Sequence, residues 1–177
     1  YVKKKERYLG PLLPWSWKSL SKEHHESFLP NEYKGFKKKI VCTLGGHKYR
    51  KPLFDSVVSL AMQMPDILFI ALSDFKTDVV LKNLLVLGFV ENPSHYYFNA
   101  DLVITQAGHS TAMELITLGV PMLVVPDTGQ IEQESNAKRL CELGLGSKLS
   151  YKDLSTNTLH NQVRYMLSES SFLESAK

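Results

Sequence analysis

After residue 40, short apolar runs and longer amphipathic stretches alternate along the chain, with turn-forming residues between them. Short β-rich runs indicate strands, and longer stretches with apolar positions on one face indicate helices. Glycine and proline mark most of the boundaries. Strands are therefore predicted at residues 40–44, 67–72, 84–89, 102–105, 122–125 and 146–149. Helices are predicted at residues 51–64, 94–98, 112–118, 136–143 and 153–167, the last with Ser150 or Asp153 as its cap.

Strand and helix alternate, which predicts an α/β fold: a doubly wound, parallel sheet of about six strands, Rossmann-like. Right-handed crossovers give the strand order 3-2-1-4-5-6. In that order the first and fourth strands are neighbours at the point where the winding direction changes. The turns that follow them, at Gly45-Gly46 and at Gly108, then face each other across a crevice, and open α/β sheets bind ligands at such a crevice.

The turn after the fourth predicted strand contains several groups that could bind a ligand. Gly108, His109, Ser110 and Thr111 open a helix with unpaired amides, two hydroxyls and the positive end of its dipole, a combination that binds phosphate. A structural alternative stays open, in which Ser110 caps the helix and Gly108 permits the turn. Likewise His109 is either a base or a polar residue at the helix entry.

Other polar residues are expected above the same sheet edge. Glu114 lies one turn inside the helix, while Glu132 and Gln133 fall in the next loop from strand to helix. Together with the turn, these positions resemble the donor-nucleotide half of GT-B glycosyltransferases, in particular the peptidoglycan N-acetylglucosaminyltransferase and UDP-glycosyltransferase group. The residues that carry the resemblance are Gly108, His109, Ser110, Thr111, Ala112, Met113, Glu114, Gly119, Val120, Pro121, Val125, Pro126, Glu132, Gln133, Asn136 and Ala137.

This resemblance implies a UDP-sugar donor and an inverting transfer without metal or other cofactor. It assigns the ribose hydroxyls to Glu114, the uracil edge to Phe89 and Val90, and the donor sugar to Glu132 and Gln133. The diphosphate is assigned to Gly45, Gly46, Gly108, His109, Ser110 and Thr111. The catalytic base is expected in an N-terminal acceptor domain that this chain lacks, so the catalytic residues stay unknown. Members of the family carry His or Arg at the position that Gln106 occupies in this chain. A charged side-chain contact to the diphosphate is therefore not expected from position 106.

The resemblance also divides the chain. Residues 1–36 are expected to be an interdomain connector, and residues 37–177 the donor-binding domain. Tyr8 to Leu13 resembles the segment with which UDP-glycosyltransferases leave their N-terminal domain, and Trp15 and Trp17 are expected to pack this connector onto the domain. Two alternatives stay open: a non-catalytic nucleotide-binding subunit of a split glycosyltransferase, and a UDP-sugar epimerase. The polar tail from Ser168 frays or crosses to the absent domain.

Charge is distributed unevenly. Residues 1–52 hold 13 Lys and Arg against 4 Asp and Glu, and the remainder holds 8 against 14. The basic part is either a solvated linker or a contact to an anionic membrane surface, which would suit a lipid acceptor. No recognised nucleic-acid module accompanies it, so nucleic-acid binding is not expected. The chain has no apolar run long enough to span a bilayer and no signal-peptide pattern, which predicts a cytoplasmic domain, peripheral at the membrane if the basic part binds lipid.

Several enzyme classes are disfavoured by what the motifs lack. The first glycine turn is not GxGxxG, no Walker A sequence occurs, and Ala112 stands where a G-x-S-x-G nucleophile elbow needs glycine. The histidines show no metal-ligand spacing. Cys42 and Cys141 lie in a predicted strand and a predicted helix and are expected to be reduced, buried and structural.

Overall fold

The computed structural model describes residue 13, residues 29–45, 47–169 and 171–172, and residue 175. Its strands are β1 (Lys38–Gly45), β2 (Ile67–Ser73), β3 (Leu84–Leu87), β4 (Leu102–Thr105), β5 (Met122–Val124) and β6 (Gly146–Lys148). Its helices are α1 (Lys51–Gln63), α2 (Ser94–Phe98), α3 (His109–Leu118), α4 (Ile131–Glu142) and α5 (Thr156–Ser168). Short 3₁₀ turns occur at Asn31–Tyr33, Lys48–Arg50 and Tyr151–Asp153.

The six strands form one parallel sheet in the order β3-β2-β1-β4-β5-β6, so the predicted fold class and strand order are confirmed. Strands β1 and β4 are hydrogen-bonded neighbours, with Ile40 opposite Leu102 and Cys42 opposite Ile104. The carboxyl ends of both strands therefore meet at the centre of one sheet edge. That is where the chain changes its winding direction.

Both faces of the sheet are covered, because residues that alternate along each strand point to opposite faces. On one face, Ile40, Cys42 and Ile104 pack with side chains of α1 and α5. On the other, Val41, Val103 and their neighbours pack with α2, α3 and α4. The helices that carry the polar residues of interest, α3 and α4, thus lie side by side on the same face.

Two helix starts differ from the prediction. Helix α4 begins at Ile131 rather than near residue 136, because residues 131–135 are mostly polar and carry no apolar period that would signal a helix. Helix α3 begins at His109, in agreement with the expectation that residues 108–111 open it, and so extends ahead of the apolar stretch at residues 112–118. For α5 the cap is Ser155, which forms a capping box with Thr158; Ser150 instead accepts from Lys152 N in the preceding 3₁₀ turn.

The two cysteines differ in burial. Cys42 is fully buried in β1, as predicted, and burial raises the pKa of its thiol. Cys141 is exposed on α4, so the prediction that it is buried is wrong. The α4 face that carries Cys141 turns away from the sheet, because its buried residues are Ala137 and Leu140. Neither cysteine is in a disulfide.

Some predictions fall on residues outside the described part of the chain. These are the resemblance of Tyr8 to Leu13, apart from Leu13 itself, the packing of Trp15 and Trp17, the second turn glycine Gly46, and most of the polar tail. Of the predicted connector, the described portion includes Leu29, which is buried against the α2–α4 face, and the 3₁₀ turn Asn31–Tyr33.

Candidate functional site

The backbone between β4 and α3 is held in an uncommon conformation. Ala107 has φ +60°, in the left-handed region that disfavours residues with a Cβ, and its side chain is fully buried. Its carbonyl oxygen accepts a hydrogen bond of 2.9 Å from Asn136 Nδ2 of α4. Strain of this kind costs about 1–3 kcal/mol and persists only where the surroundings enforce it. Here the neighbouring helix enforces it.

Gly108 is the N-cap of α3, with φ −57° and ψ 144°, values open to any residue. A Cβ built on Gly108 would meet no heavy atom within 4 Å. The alternative in which Gly108 serves to permit the turn is therefore wrong, because the left-handed residue is Ala107. Gly108 instead leaves open space directly above the start of the helix.

Ser110 does not cap α3 either. The cap position is Gly108, which has no side chain, and no side-chain cap is bonded there. Ser110 is the second residue of the helix and is exposed. The alternative in which Ser110 is a capping residue is wrong, and its hydroxyl is presented to solvent at the positive end of the helix dipole.

Helix α4 reaches the same turn with a carboxylate. Glu132 Oε1 accepts a hydrogen bond of 3.1 Å from the His109 backbone N–H, the first amide of α3. Both residues are exposed. Glu132 thus lies at the start of α3 as well as in the first turn of α4, and two helix N-termini meet around it.

Gln106 lies one residue before the strained alanine and is only 6% exposed. Its Nε2 is buried and has no hydrogen-bond partner among the described residues. A buried hydrogen-bond donor without an acceptor lowers the stability of the fold by about 1–3 kcal/mol. A ligand oxygen that accepted from this donor would remove that cost. Gln106 therefore supplies a neutral donor at the position where relatives were expected to carry a charged residue.

A cleft of about 260 Å³ opens at the carboxyl ends of β1, β2 and β3. Four residues named from the sequence line it: Gly45, Phe89, Val90 and Thr111. It brings the ends of β1 and β3 and the first turn of α3 into one cavity. Phe89 is 89% exposed, which leaves its ring and the adjoining backbone open to a ligand.

The described glycine of the β1 turn is required by the fold. Gly45 has φ +58°, and a Cβ there would come within 3.0 Å of Arg50 Nη1. The Gly45 carbonyl oxygen accepts a 3.1 Å hydrogen bond from Ser73 Oγ, which ties the β1 turn to the end of β2. Gly45 therefore lines the cleft and also has a structural role in the turn.

Glu114 lies on α3 near Tyr97 and is not among the residues that line the cleft. It is half-buried and lies close enough to Tyr97 to influence that residue electrostatically. Burial raises the pKa of Tyr97 to about 12; Glu114 adds to the rise, whereas hydrogen bonding with Thr43 and Thr111 opposes it. Tyr97, Thr43 and Thr111 all line the cleft. The cleft lining thus includes a buried, neutral phenol with two hydroxyls beside it.

Gln133 is held by the loop after β5. Its Oε1 accepts a 2.7 Å hydrogen bond from Asp127 N, and its Nε2 donates to Asp127 Oδ2 at 3.2 Å. Asp127 also pairs with Arg50, whose Nε lies 3.0 Å from Oδ1, and Arg50 Nη1 donates to Leu44 O at 2.8 Å. Burial tends to lower the pKa of Arg50, but the contacts with Asp127 raise it above its ordinary value. One ion pair therefore links the loops after β1 and β5 and fixes the amide of Gln133.

The sequence did not single out several of these residues. Tyr97 lies in an aromatic segment whose composition indicates core packing. No recognised motif includes Arg50, Ser73, Asp74 or Asp127. A usable signal existed, because each of Ser73, Asp74 and Asp127 lies within two residues after a predicted strand and so falls at the ligand-binding edge of the sheet. A second cavity of about 320 Å³ is lined by Tyr49, Asp127, Thr128, Gln130 and Tyr151.

Two further findings concern the described residues alone. They contain no group of three or more His, Cys, Asp or Glu side chains placed to hold a metal ion. Among these same residues, none of the helices is both long enough and apolar enough to cross a bilayer.

The model of the glycosyltransferase family 28 C-terminal domain matches residues 67–177 of the chain. The chain belongs to this family. The chain is 38% identical over 149 residues to an uncharacterized glycosyltransferase of Methanosarcina acetivorans, with 81% of the chain and 37% of the relative covered. It is 36% identical over 131 residues to the UDP-N-acetylglucosamine–N-acetylmuramyl-(pentapeptide) pyrophosphoryl-undecaprenol N-acetylglucosamine transferase of a Sulfurihydrogenibium species, covering 72% of the chain and 38% of the relative.

Solved structures agree on the fold. The glycotransferase of kitacinnamycin superposes with a TM-score of 0.72 at 21% identity, covering 80% of the chain and 38% of that protein. A spinosyn rhamnosyltransferase in complex with thymidine diphosphate gives a TM-score of 0.68 at 21% identity, covering 83% and 42%. The predicted GT-B resemblance is therefore confirmed. The family 28 domain spans less than half the length of these relatives.

Proposed function

We propose that this family 28 domain is the donor-binding part of an inverting, metal-independent glycosyltransferase that uses a UDP-sugar. The observation that carries the proposal is the start of α3. The N-cap residue Gly108 has no side chain to cap these amides, and among the described residues only Glu132 of α4 accepts a hydrogen bond from the first of them. Gly108 leaves the space above them empty, and Ala107 is held in a strained conformation by Asn136. A helix N-terminus of this form binds phosphate through its amides and dipole.

Donor recognition follows from the residues around that turn. The diphosphate binds at residues 108–111 and near Gly45, with Gln106 Nε2 as a further donor. Phe89 and Val90 hold the base in the cleft that they line, and Glu114 accepts the ribose hydroxyls. The first turn of α4 supplies Glu132 and Gln133 to the sugar. The second turn glycine, Gly46, belongs to the same diphosphate assignment.

In the transfer step, the bond between the sugar and the diphosphate breaks and negative charge develops on the departing nucleotide. Fixed amides at the start of α3 stabilise that charge as it forms, which is electrostatic leaving-group stabilisation. The acceptor and its base are assigned to an N-terminal half outside the 177 residues. A donor of UDP type is favoured by the name of the 36% identical relative, and that name also describes a lipid-linked acceptor.

The basic N-terminal part of the chain is the one feature here that suits an acceptor at a membrane surface. Residues 1–52 carry the excess of Lys and Arg, and polybasic segments gain about 1 kcal/mol per residue near anionic lipid. On this proposal the enzyme acts on the cytoplasmic side, peripheral to the membrane.

Gly108→Ala tests the proposed diphosphate site directly. The added methyl meets no protein atom and the backbone angles allow it, so stability should fall by at most about 1 kcal/mol, the range for replacing a glycine N-cap. A phosphate seated on the first amides would meet the methyl, so UDP affinity measured by calorimetry should fall at least about tenfold, which is about 1.4 kcal/mol.

Gly35→Ala is the matched control, because a Cβ at Gly35 also meets nothing within 4 Å and the residue does not line the donor cleft. It should leave UDP binding unchanged. Equal UDP affinity in wild type and Gly108→Ala would remove the turn from the binding site. Absence of UDP binding to the wild type would overturn the proposed donor.

A further inference from the structure

Glu132 occupies an amide that a bound diphosphate would need. Its Oε1 accepts from the His109 N–H, the first amide of α3. In the ligand-free chain the carboxylate is therefore an internal anion at the site where the proposed function places an external one. Two anions cannot share one N–H at full strength, and like charges at this separation repel each other.

The neighbouring acidic residue of α4 behaves differently. Glu134 pairs with Lys148 at the end of β6 and makes no hydrogen bond or ion pair with α3 among the described residues. Glu132 is exposed and Glu134 is half-buried, and both lie in the first turn of the same helix. The contact to α3 is thus specific to position 132 and is not a general consequence of acidic residues at a helix start.

The turn that receives Glu132 also holds a hydrogen-bond donor that is not satisfied. Gln106 is only 6% exposed, and its Nε2 has no partner in the part of the chain that the structure describes. Glu132 therefore satisfies one amide of the turn and leaves at least one buried donor without an acceptor. A diphosphate has several oxygens and would supply acceptors that a single carboxylate cannot.

We infer that Glu132 is an exchangeable anion that discriminates between the sugar donor and the nucleoside diphosphate product. The diphosphate displaces its carboxylate from His109 N, and the freed carboxylate accepts hydrogen bonds from the sugar hydroxyls. When the sugar is gone, the carboxylate loses those donors and competes again for the amide. The site thus holds a nucleotide sugar well and expels the product. This inference rests on the proposed function and assigns product release to one residue.

Calorimetry with three probes tests the exchange: UDP, inorganic diphosphate and UDP-N-acetylglucosamine. The variants are Glu132→Gln, which removes the charge but keeps a side-chain oxygen, and Glu134→Gln as the matched control. Glu132→Gln should bind UDP and inorganic diphosphate about 3- to 10-fold more tightly, the size of a charge effect at a helix N-terminus plus local repulsion. Its affinity for the nucleotide sugar should rise less or fall. Glu134→Gln should match wild type for all three probes.

The outcomes separate the two proposals. Equal or weaker binding of UDP and inorganic diphosphate by Glu132→Gln would overturn the exchange while leaving the UDP site intact. Tighter binding of inorganic diphosphate without any binding of UDP would support the exchange and overturn the proposed donor. If inorganic diphosphate binds to no variant, the exchange is overturned as well. In the ligand-free state, NMR should show a shifted His109 amide in Glu132→Gln and an unshifted one in Glu134→Gln.

Discussion

At the scale of single residues, the site depends on where backbone strain is placed. Ala107 takes the left-handed conformation, and Asn136 from another helix holds its carbonyl, while Gly108 keeps ordinary angles and empty space. A glycine at position 107 would relieve the strain but would loosen the turn. The chain instead has its glycine where the proposed diphosphate would approach, and packing and a hydrogen bond hold the strained residue in place.

Glu114→Ala should weaken UDP binding by about 1–3 kcal/mol, the range for losing charge-assisted hydrogen bonds to ribose hydroxyls. The fold should remain, because Glu114 is half-buried and lies on a helix whose packing is carried by Ala112 and Leu115. Calorimetry with UDP measures the loss, and circular dichroism checks the fold. Glu142→Ala at the far end of α4 is the control. A folded Glu114→Ala protein with wild-type affinity would exclude Glu114 from the site.

Gln133→Ala should spare UDP binding and reduce selectivity between UDP-sugars, because Gln133 is assigned to the sugar and not to the nucleotide. Its amide is already fixed by Asp127, so it meets the sugar without first being ordered. A panel of UDP-sugars compared by calorimetry measures the selectivity. Equal losses for UDP and for every UDP-sugar would contradict the assignment.

Asp127→Ala should destabilise the fold by about 3–5 kcal/mol, because it leaves the Arg50 guanidinium buried without its partner. The side chains are 12% and 2% exposed, so water cannot replace the lost carboxylate. Urea denaturation measures the free energy of unfolding. The double variant Arg50→Met with Asp127→Leu should recover much of the loss, since it removes both charges. A loss below about 1 kcal/mol in Asp127→Ala would show that the pair does not stabilise the fold.

At the scale of elements, apolar periodicity predicted the sheet and the buried helices well. Strands β1, β2 and β4 are apolar on both faces because helices cover both faces, so they stand out as continuous runs. The start of α4 was predicted poorly, because its first turn is mostly polar and contains no buried residue. The cap of α5 was missed because three possible capping residues, Ser150, Asp153 and Ser155, lie within one stretch.

For the candidate site, too, some features could be predicted from the sequence and others could not. The positions of residues 108–111 and Gly45 followed from strand order and from the resemblance. The contacts of Glu132 and Gln133 did not, because they depend on where two helices lie relative to each other. Position 132 bonds to an amide 23 residues away and position 133 to a loop fixed by Arg50, and no local pattern encodes either distance.

Gly146→Ala should destabilise the fold by forcing β6 away from β5. A Cβ on Gly146 would collide with the carbonyl oxygen of Met122, which is a backbone atom and cannot swing aside. Overpacking of this kind costs about 1–3 kcal/mol. Thermal unfolding measures the loss, and Gly35→Ala, which meets nothing, is the control. An unchanged midpoint would mean that the edge of the sheet accommodates the methyl by a shift of β6.

At the scale of the whole molecule, the proposed donor site forms one side of a cleft. The turns proposed to bind the diphosphate and the base follow parallel strands and so lie at the carboxyl edge of the sheet, and the relatives extend well beyond the aligned part. When only these 177 residues are present, a diphosphate bound to α3 should keep part of its hydration shell. Each electrostatic contact is then weakened by the higher local dielectric constant.

The 177-residue chain should therefore bind UDP with modest affinity and transfer no sugar, because the acceptor pocket and the base are assigned to the proposed acceptor half. UDP binding should persist in the presence of a chelator, since the helix amides and Gln106 are expected to hydrogen-bond the diphosphate in place of a metal ion. NMR titration with UDP, with and without chelator, measures both points through the amides of residues 108–111. A requirement for metal would contradict the metal-independent mechanism. Shifts confined to other residues would place the nucleotide elsewhere, and transfer by the chain alone would show that it contains its own base.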